Sequence, residues 1–262
     1  SAGAGLFVSA LAVFGLAMVY NSQAVALLGV IGAFFTPVLI GGELDAGVFA
    51  LVYIALINIP VLLLGVRRKW QWLYNVSFFL TIVFFMLWID RVHARDSLPG
   101  LIFAVIYFIE FAALGLLKLR SEQQIAGRQF DVMRLIIASL CLLGATYWIL
   151  QNTGWNDWLG AAFLILALLH LAFAGAGCKL IRRYTEDILA FLAGGLLFAV
   201  LALPAQLDGE WVSLGWAIEG VVLAWFAVRV KSRALLGAAT VIGTIGILKA
   251  LCFDPTLYPV AP

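Results

Sequence analysis

Apolar residues run along this chain in blocks of about twenty, each closed by a short polar or charged turn, and no stretch alternates with period two long enough to suggest a β-barrel. At about 1.5 Å of rise per residue, some 20 helical residues cross the hydrocarbon core of a bilayer. Ten blocks meet that length, near Ala2–Tyr20, Ala24–Ile40, Ala46–Gly65, Trp70–Ile89, Leu101–Leu117, Val132–Leu150, Trp158–Gly177, Asp187–Ala205, Trp211–Val230 and Ala234–Phe253. The pattern predicts an all-α integral membrane protein, a polytopic bundle of about ten transmembrane helices forming one transmembrane domain over residues 1–262. Blocks 3, 5, 7 and 9 begin near 46, 101, 158 and 211. Such even steps suit a construction from helical hairpin repeats, although equal helices with short loops would give them too.

The charged punctuation tests the count, because Lys and Arg concentrate in cytoplasmic loops. Arg67, Arg68 and Lys69 follow block 3, and Lys118, Arg120, Arg128 and Arg134 flank the turn between blocks 5 and 6. Lys179, Arg182 and Arg183 follow block 7, and Arg229, Lys231 and Arg233 surround the turn after block 9. Thirteen of the sixteen basic residues thus fall on one side. The other side holds Arg91 and Arg95, with Lys249 near the end of block 10, and most of the acids: Glu43, Asp45, Asp90, Asp96, Asp157, Asp208, Glu210 and Asp254. A miscounted helix would scramble this alternation. Trp88, Trp148, Trp155, Trp158 and Trp211 at outer ends, with Trp70 and Trp72 at an inner one, read as interfacial anchors.

Composition agrees: 65% of residues are hydrophobic and 11% charged, against roughly 45–50% and 25% in a soluble domain. The surplus apolar surface must face lipid, so the bilayer is the first expected partner, other membrane subunits are a second, and nucleic acid is not expected. Cys141, Cys178 and Cys252 are scattered through apolar segments and read as packing residues. The opening at Ser1 lacks the positive region and cleavage site of a secretory signal, and reads as a segment of a longer chain.

Ionisable groups at membrane depth are costly, which makes each a functional candidate. Counting from the outer ends at about 1.5 Å per residue, Glu110 and Glu219 lie ~12–14 Å inward and His170 and Asn58 ~18 Å inward. Four helices running the same way would each bring one polar group near the midplane. This is a candidate site in which the two glutamates take up protons or a cation; the competing reading is hydrogen bonding between helices for packing. Glu110, with no basic partner at its depth on the neighbouring helices, is expected to be protonated or bonded to a hydroxyl such as Tyr147. Glu219 and Lys249 should differ in depth by only ~4–5 Å in an antiparallel hairpin, close enough for an ion pair, unless the lysine snorkels outward toward Asp254. Pro37 and Pro60 free backbone carbonyls inside spans and either line a cavity or only kink their helices. HExxH, GxSxG, the P-loop and a complete GxGxxG are all missing. His93 and His170 are too few and too separate for a metal site. No cofactor is expected, and an enzyme working through outer carboxylates ranks third.

Two regions carry a family likeness. Gly32-Ala33-Phe34-Phe35-Thr36-Pro37-Val38-Leu39, Tyr53 to Asn58 and the turn Arg67-Arg68-Lys69-Trp70 form the first. Asp208-Gly209-Glu210-Trp211, Trp216-Ala217-Ile218-Glu219-Gly220, Leu248-Lys249 and Phe253-Asp254 form the second. In this order the chain resembles the bacterial membrane-protein family known as domain of unknown function 2339. The resemblance implies a bacterial inner membrane, basic loops in the cytoplasm and a longer parent, and it brings no activity. Glu219 and Lys249 fall within the recurring patterns; Glu110 and His170 do not.

Two functions follow as expectations. The first is transport or binding of a small or lipid-linked molecule through the midplane polar site. The second is a non-catalytic structural or assembly subunit whose buried charges are static.

Overall fold

The computed structural model describes residues 2–41, 47–90, 97–120, 128–181, 185–206, 210–230 and 233–253. They form ten α-helices: α1 (Ala2–Val19), α2 (Gln23–Gly41), α3 (Gly47–Arg68), α4 (Gln71–Ile89), α5 (Ser97–Arg120), α6 (Arg128–Asn152), α7 (Leu159–Ile181), α8 (Glu186–Gln206), α9 (Glu210–Val230) and α10 (Arg233–Phe253). A 3-10 turn, Asn156–Trp158, precedes α7, and no strand occurs among the described residues. The expected helix count is met. Glu43, Asp45, Arg91, His93, Arg95, Asp96, Arg182, Arg183, Asp208, Lys231 and Asp254 lie outside the described residues. By length and composition α3 to α8 are apolar enough to cross a membrane, and α1, α2, α9 and α10 hold shorter apolar stretches among the described residues.

Local chemistry explains where the helices stop. After α3 the chain turns through Lys69 in the left-handed region, φ 60°, while Trp70 N–H returns to Gly65 O and Lys69 N–H to Val66 O. Two such bonds satisfy carbonyls that the helix end leaves open. The turn after α1 repeats the arrangement with Asn21, φ 47°, and Ser22 then caps α2 by accepting the Val25 N–H. Pro60 sits inside α3 without interrupting it.

The chain divides into two compact units, residues 1–156 with 171–192, and residues 157–170 with 193–262. In the first, α1 packs on α2, α3 on α4 and α5, α2 on α4, and α5 on α6. Phe34, Leu51, Ile57, Val61, Leu73 and Ile149 are almost fully buried. Large apolar side chains such as Leu28, Leu63 and Phe79 face outward, as lipid-facing positions should. At one end Arg68 donates to Asn21 Oδ1 and Met18 O, and Tyr74 of α4 meets Lys118 of α5. At the opposite end Trp88 of α4 donates through Nε1 to Gly47 O of α3. Successive helices of this unit therefore run antiparallel, as the charge alternation requires. Trp88 itself is buried, so it ties α4 to the start of α3; the expectation of an interfacial anchor is corrected there. Trp72, Trp155 and Trp158 are exposed, as anchors are.

In the second unit α9 packs along α10 with almost nothing between the backbones. A Cβ on Gly220 would stand 2.7 Å from the Gly243 Cα, and one on Gly246 3.0 Å from the Ala217 nitrogen. Small residues permit such contact, and in a bilayer, where burial alone does not drive helices together, close backbone packing is the main attraction left.

Candidate functional site

The polar groups at mid-depth in the first unit converge on one amide. Asn58 of α3 is fully buried, and its Nδ2 donates to Glu110 Oε2 on α5 at 2.9 Å. Its Oδ1 accepts from Ser77 Oγ at 2.7 Å and Thr81 Oγ1 at 3.2 Å, both on α4. The single Thr81 hydroxyl hydrogen is shared between Asn58 Oδ1 and the nearer Ser77 O, one turn back in its own helix. Four side chains on three helices are thus joined around Asn58. Ser77 and Thr81 are buried, whereas Glu110 is partly exposed. One carboxyl oxygen is held by the Asn58 amide, and Glu110 is the one member of the group that is not fully buried.

This geometry corrects one expectation. The donor to Glu110 is an amide on α3, and Tyr147, offered from sequence as its hydroxyl partner, is half exposed on α6. Tyr107, three residues before Glu110, spends its hydroxyl on Leu51 O at 2.9 Å.

His170 and Glu219, the other two residues of the expected site, belong to the second unit. His170 is fully buried, its Nδ1 lies 2.8 Å from Leu166 O and its ring lies 5.0 Å from that of Phe198. A carbonyl at that nitrogen calls for an Nδ1–H, and the arrangement suits a packing histidine. Glu219 Oε2 is buried with no hydrogen-bond partner among the described residues. Lys249 of α10 does turn toward α9, where its Nζ donates to Ser213 Oγ at 3.2 Å.

A second charged centre stands where the chain shows mostly basic turns. Lys118 Nζ donates to Asp131 Oδ1 at 2.8 Å and to the Tyr74 hydroxyl at 2.5 Å, and Asp131 also accepts from Arg134 Nη2. Both cations lie over the Tyr74 ring, Lys118 Nζ at 3.8 Å and Arg134 Cζ at 4.7 Å from its centroid, a favourable placement over the negative π face. Arg134 is 6% exposed, and its Nε has no hydrogen-bond partner among the described residues. It lines a cavity of about 20 Å³ together with Asp131, Asp187 and Gly115. On sequence, Lys118 and Arg134 belong to basic clusters that read as topogenic first and as contacts for anionic lipid second. The clue in the sequence is Asp131 and Asp187, two of the four acids, with Glu122 and Glu186, that stand on the mostly basic side.

No group of three or more His, Cys, Asp or Glu gathers to hold a metal among the described residues. Cys141 and Cys178 are free thiols. Compared with known proteins, residues 2–254 match the family described as Predicted membrane protein (DUF2339), and the chain belongs to that family. No curated protein and no solved structure matches it.

Proposed function

We propose that this member of the DUF2339 family is a membrane-embedded binding or transport protein in which Glu110 takes up a proton or a cation. The observation that supports this is the asymmetry around its carboxyl: buried donors fix one oxygen through Asn58, and the side chain is partly exposed. A carboxyl serving only as glue between helices gains nothing from exposure, and a glutamine would do the same work without an ionisable group at depth. Glu219, with a buried oxygen that lacks a partner, is a second candidate for the same role in its own unit. The competing subunit reading draws support from His170, whose burial and carbonyl contact suit a static group.

A hydrophobic carbodiimide separates the two, because it attacks the protonated form of carboxyls that it can reach from lipid. In proteoliposomes Glu110 should form an adduct, found by mass spectrometry of its peptide, with a yield that rises as pH falls. Absence of an adduct at Glu110 across the pH range, in a sample where exposed carboxyls react, would refute a working Glu110.

A further inference from the structure

An apolar, half-open cavity of about 40 Å³ lies between α4, α5 and α6, lined among others by Phe78, Phe85, Phe108, Phe111, Ala138 and Cys141. All three helices are long and apolar enough to span a membrane, so the medium around this cavity is hydrocarbon. Such a lining holds no water, because a water molecule needs two to four polar partners. Phe111 and Ala138 line both this cavity and a smaller one bounded by Asp131, Arg134 and Asp187. From Arg134 to Cys141 on α6 is seven residues, about 10 Å of helix. An apolar space at depth thus adjoins a smaller, charged one nearer the helix termini.

The charged end carries a specific vacancy in its bonding. Arg134 is 94% buried by its 6% exposure and places a guanidinium in the cavity wall, yet its Nε–H has no acceptor among the described residues. A buried donor on a charged group left without an acceptor is expensive, and guanidinium is the side chain best matched to a phosphate. Lys118 and Arg134 are balanced by Asp131 and Asp187 in the same cluster. A headgroup that adds its own positive charge beside the phosphate therefore suits the cluster better than one with excess negative charge.

We propose that this crevice binds a zwitterionic phospholipid, with a stretch of one acyl chain in the cavity between α4, α5 and α6 and the phosphate at the guanidinium of Arg134. The cavity shares Thr81 with the Asn58–Glu110 centre, but the proposal uses neither Asn58 nor Glu110 and is tested without them.

The test uses the full chain in nanodiscs doped with a phosphatidylethanolamine that carries a diazirine on its acyl chain. After irradiation, adducts should fall on residues 78–86, 104–111 and 138–142 several-fold more often than on the stretch 164–168, where Leu164, Ile165 and Leu168 are exposed. Ala138→Phe, which fills the cavity without altering charge, should bring labelling down to that background. Should Ala138→Phe not purify as a monodisperse protein, Cys141→Leu fills the same space from one turn further along α6. Unlabelled phosphatidylethanolamine should compete several-fold better than a diacylglycerol with the same chains, and Arg134→Gln should abolish that difference. Labelling no higher than at 164–168, equal competition by diacylglycerol, or better competition by phosphatidylglycerol would each overturn the assignment.

Discussion

Replacing Asn58 by leucine removes three hydrogen bonds while leaving a side chain of similar volume, so the loss can be attributed to polarity and not to a void. In membrane proteins an interhelical hydrogen bond averages about 0.6 kcal/mol, with a maximum near 1.7, and three such bonds give about 2 kcal/mol at the mean and about 5 at the extreme. Thr81 keeps its bond to Ser77 O, and the Ser77 hydroxyl is able to turn to a carbonyl of its own helix. These rearrangements keep the cost near the lower figure, and about 2–3 kcal/mol is expected. The pair term is the sharper quantity. Equilibrium unfolding in mixed micelles of Asn58→Leu, Glu110→Leu and the double variant should return a coupling of about 1 kcal/mol or more, because each single change strands the other group. Coupling below about 0.3 kcal/mol, the level at which distant sites are additive, would mean that the amide and the carboxyl do not hold each other and that the site is misassigned.

Glu110→Gln keeps an acceptor for Asn58 and should cost under about 1 kcal/mol; a large loss of folded protein would show that the carboxylate is ionised and paired. Gly220→Ala should destabilise by about 1–3 kcal/mol, the usual cost of overpacking, since its Cβ would meet the Gly243 Cα at 2.7 Å, whereas Gly237→Ala, with open space around it, should be neutral in the same thermal assay. Cysteines placed at Arg68 and Asp157 should be labelled from opposite sides of intact cells, and labelling from one side would undo the ten-helix topology. Thermal stabilities of Lys249→Met, Ser213→Ala and Glu219→Gln, with their doubles, should show coupling of Lys249 to Ser213, the hydroxyl that it reaches at 3.2 Å. Additional coupling to Glu219 would establish the expected ion pair, and strict additivity throughout would leave the ammonium directed elsewhere.

Helix number was readable because hydrocarbon thickness imposes a length that few soluble patterns imitate, and basic turns mark every second connection. Asn58 and Glu110 were readable for a related reason: polarity is conspicuous where everything else is apolar. Their pairing was not, since the depth estimate separated them by ~4–6 Å of helical rise while the structure joins them at 2.9 Å. Ser77 and Thr81 were not legible because a lone hydroxyl on a span bonds its own helix as readily as another. Which face of a helix meets its neighbours was equally hidden. Lipid is as apolar as a protein core, so buried Phe78 and exposed Phe79 sit side by side with no sequence signal to distinguish them.

Arg134 and Asp131 lie three residues apart on one helix, and this bears on how the protein is made. A helix enters the bilayer before it has met all its neighbours, and an arginine then costs up to about 2.5–3.5 kcal/mol on insertion scales at the helix centre and less toward the end, where Arg134 stands. Because its counterion is part of the same segment, α6 can be delivered as a locally neutral unit, without waiting for the lysine of α5 to arrive. In an Asp131→Asn chain that neutrality would depend on the order in which α5, α6 and α8 assemble, so the defect would appear during synthesis and membrane integration, ahead of any change in the finished fold.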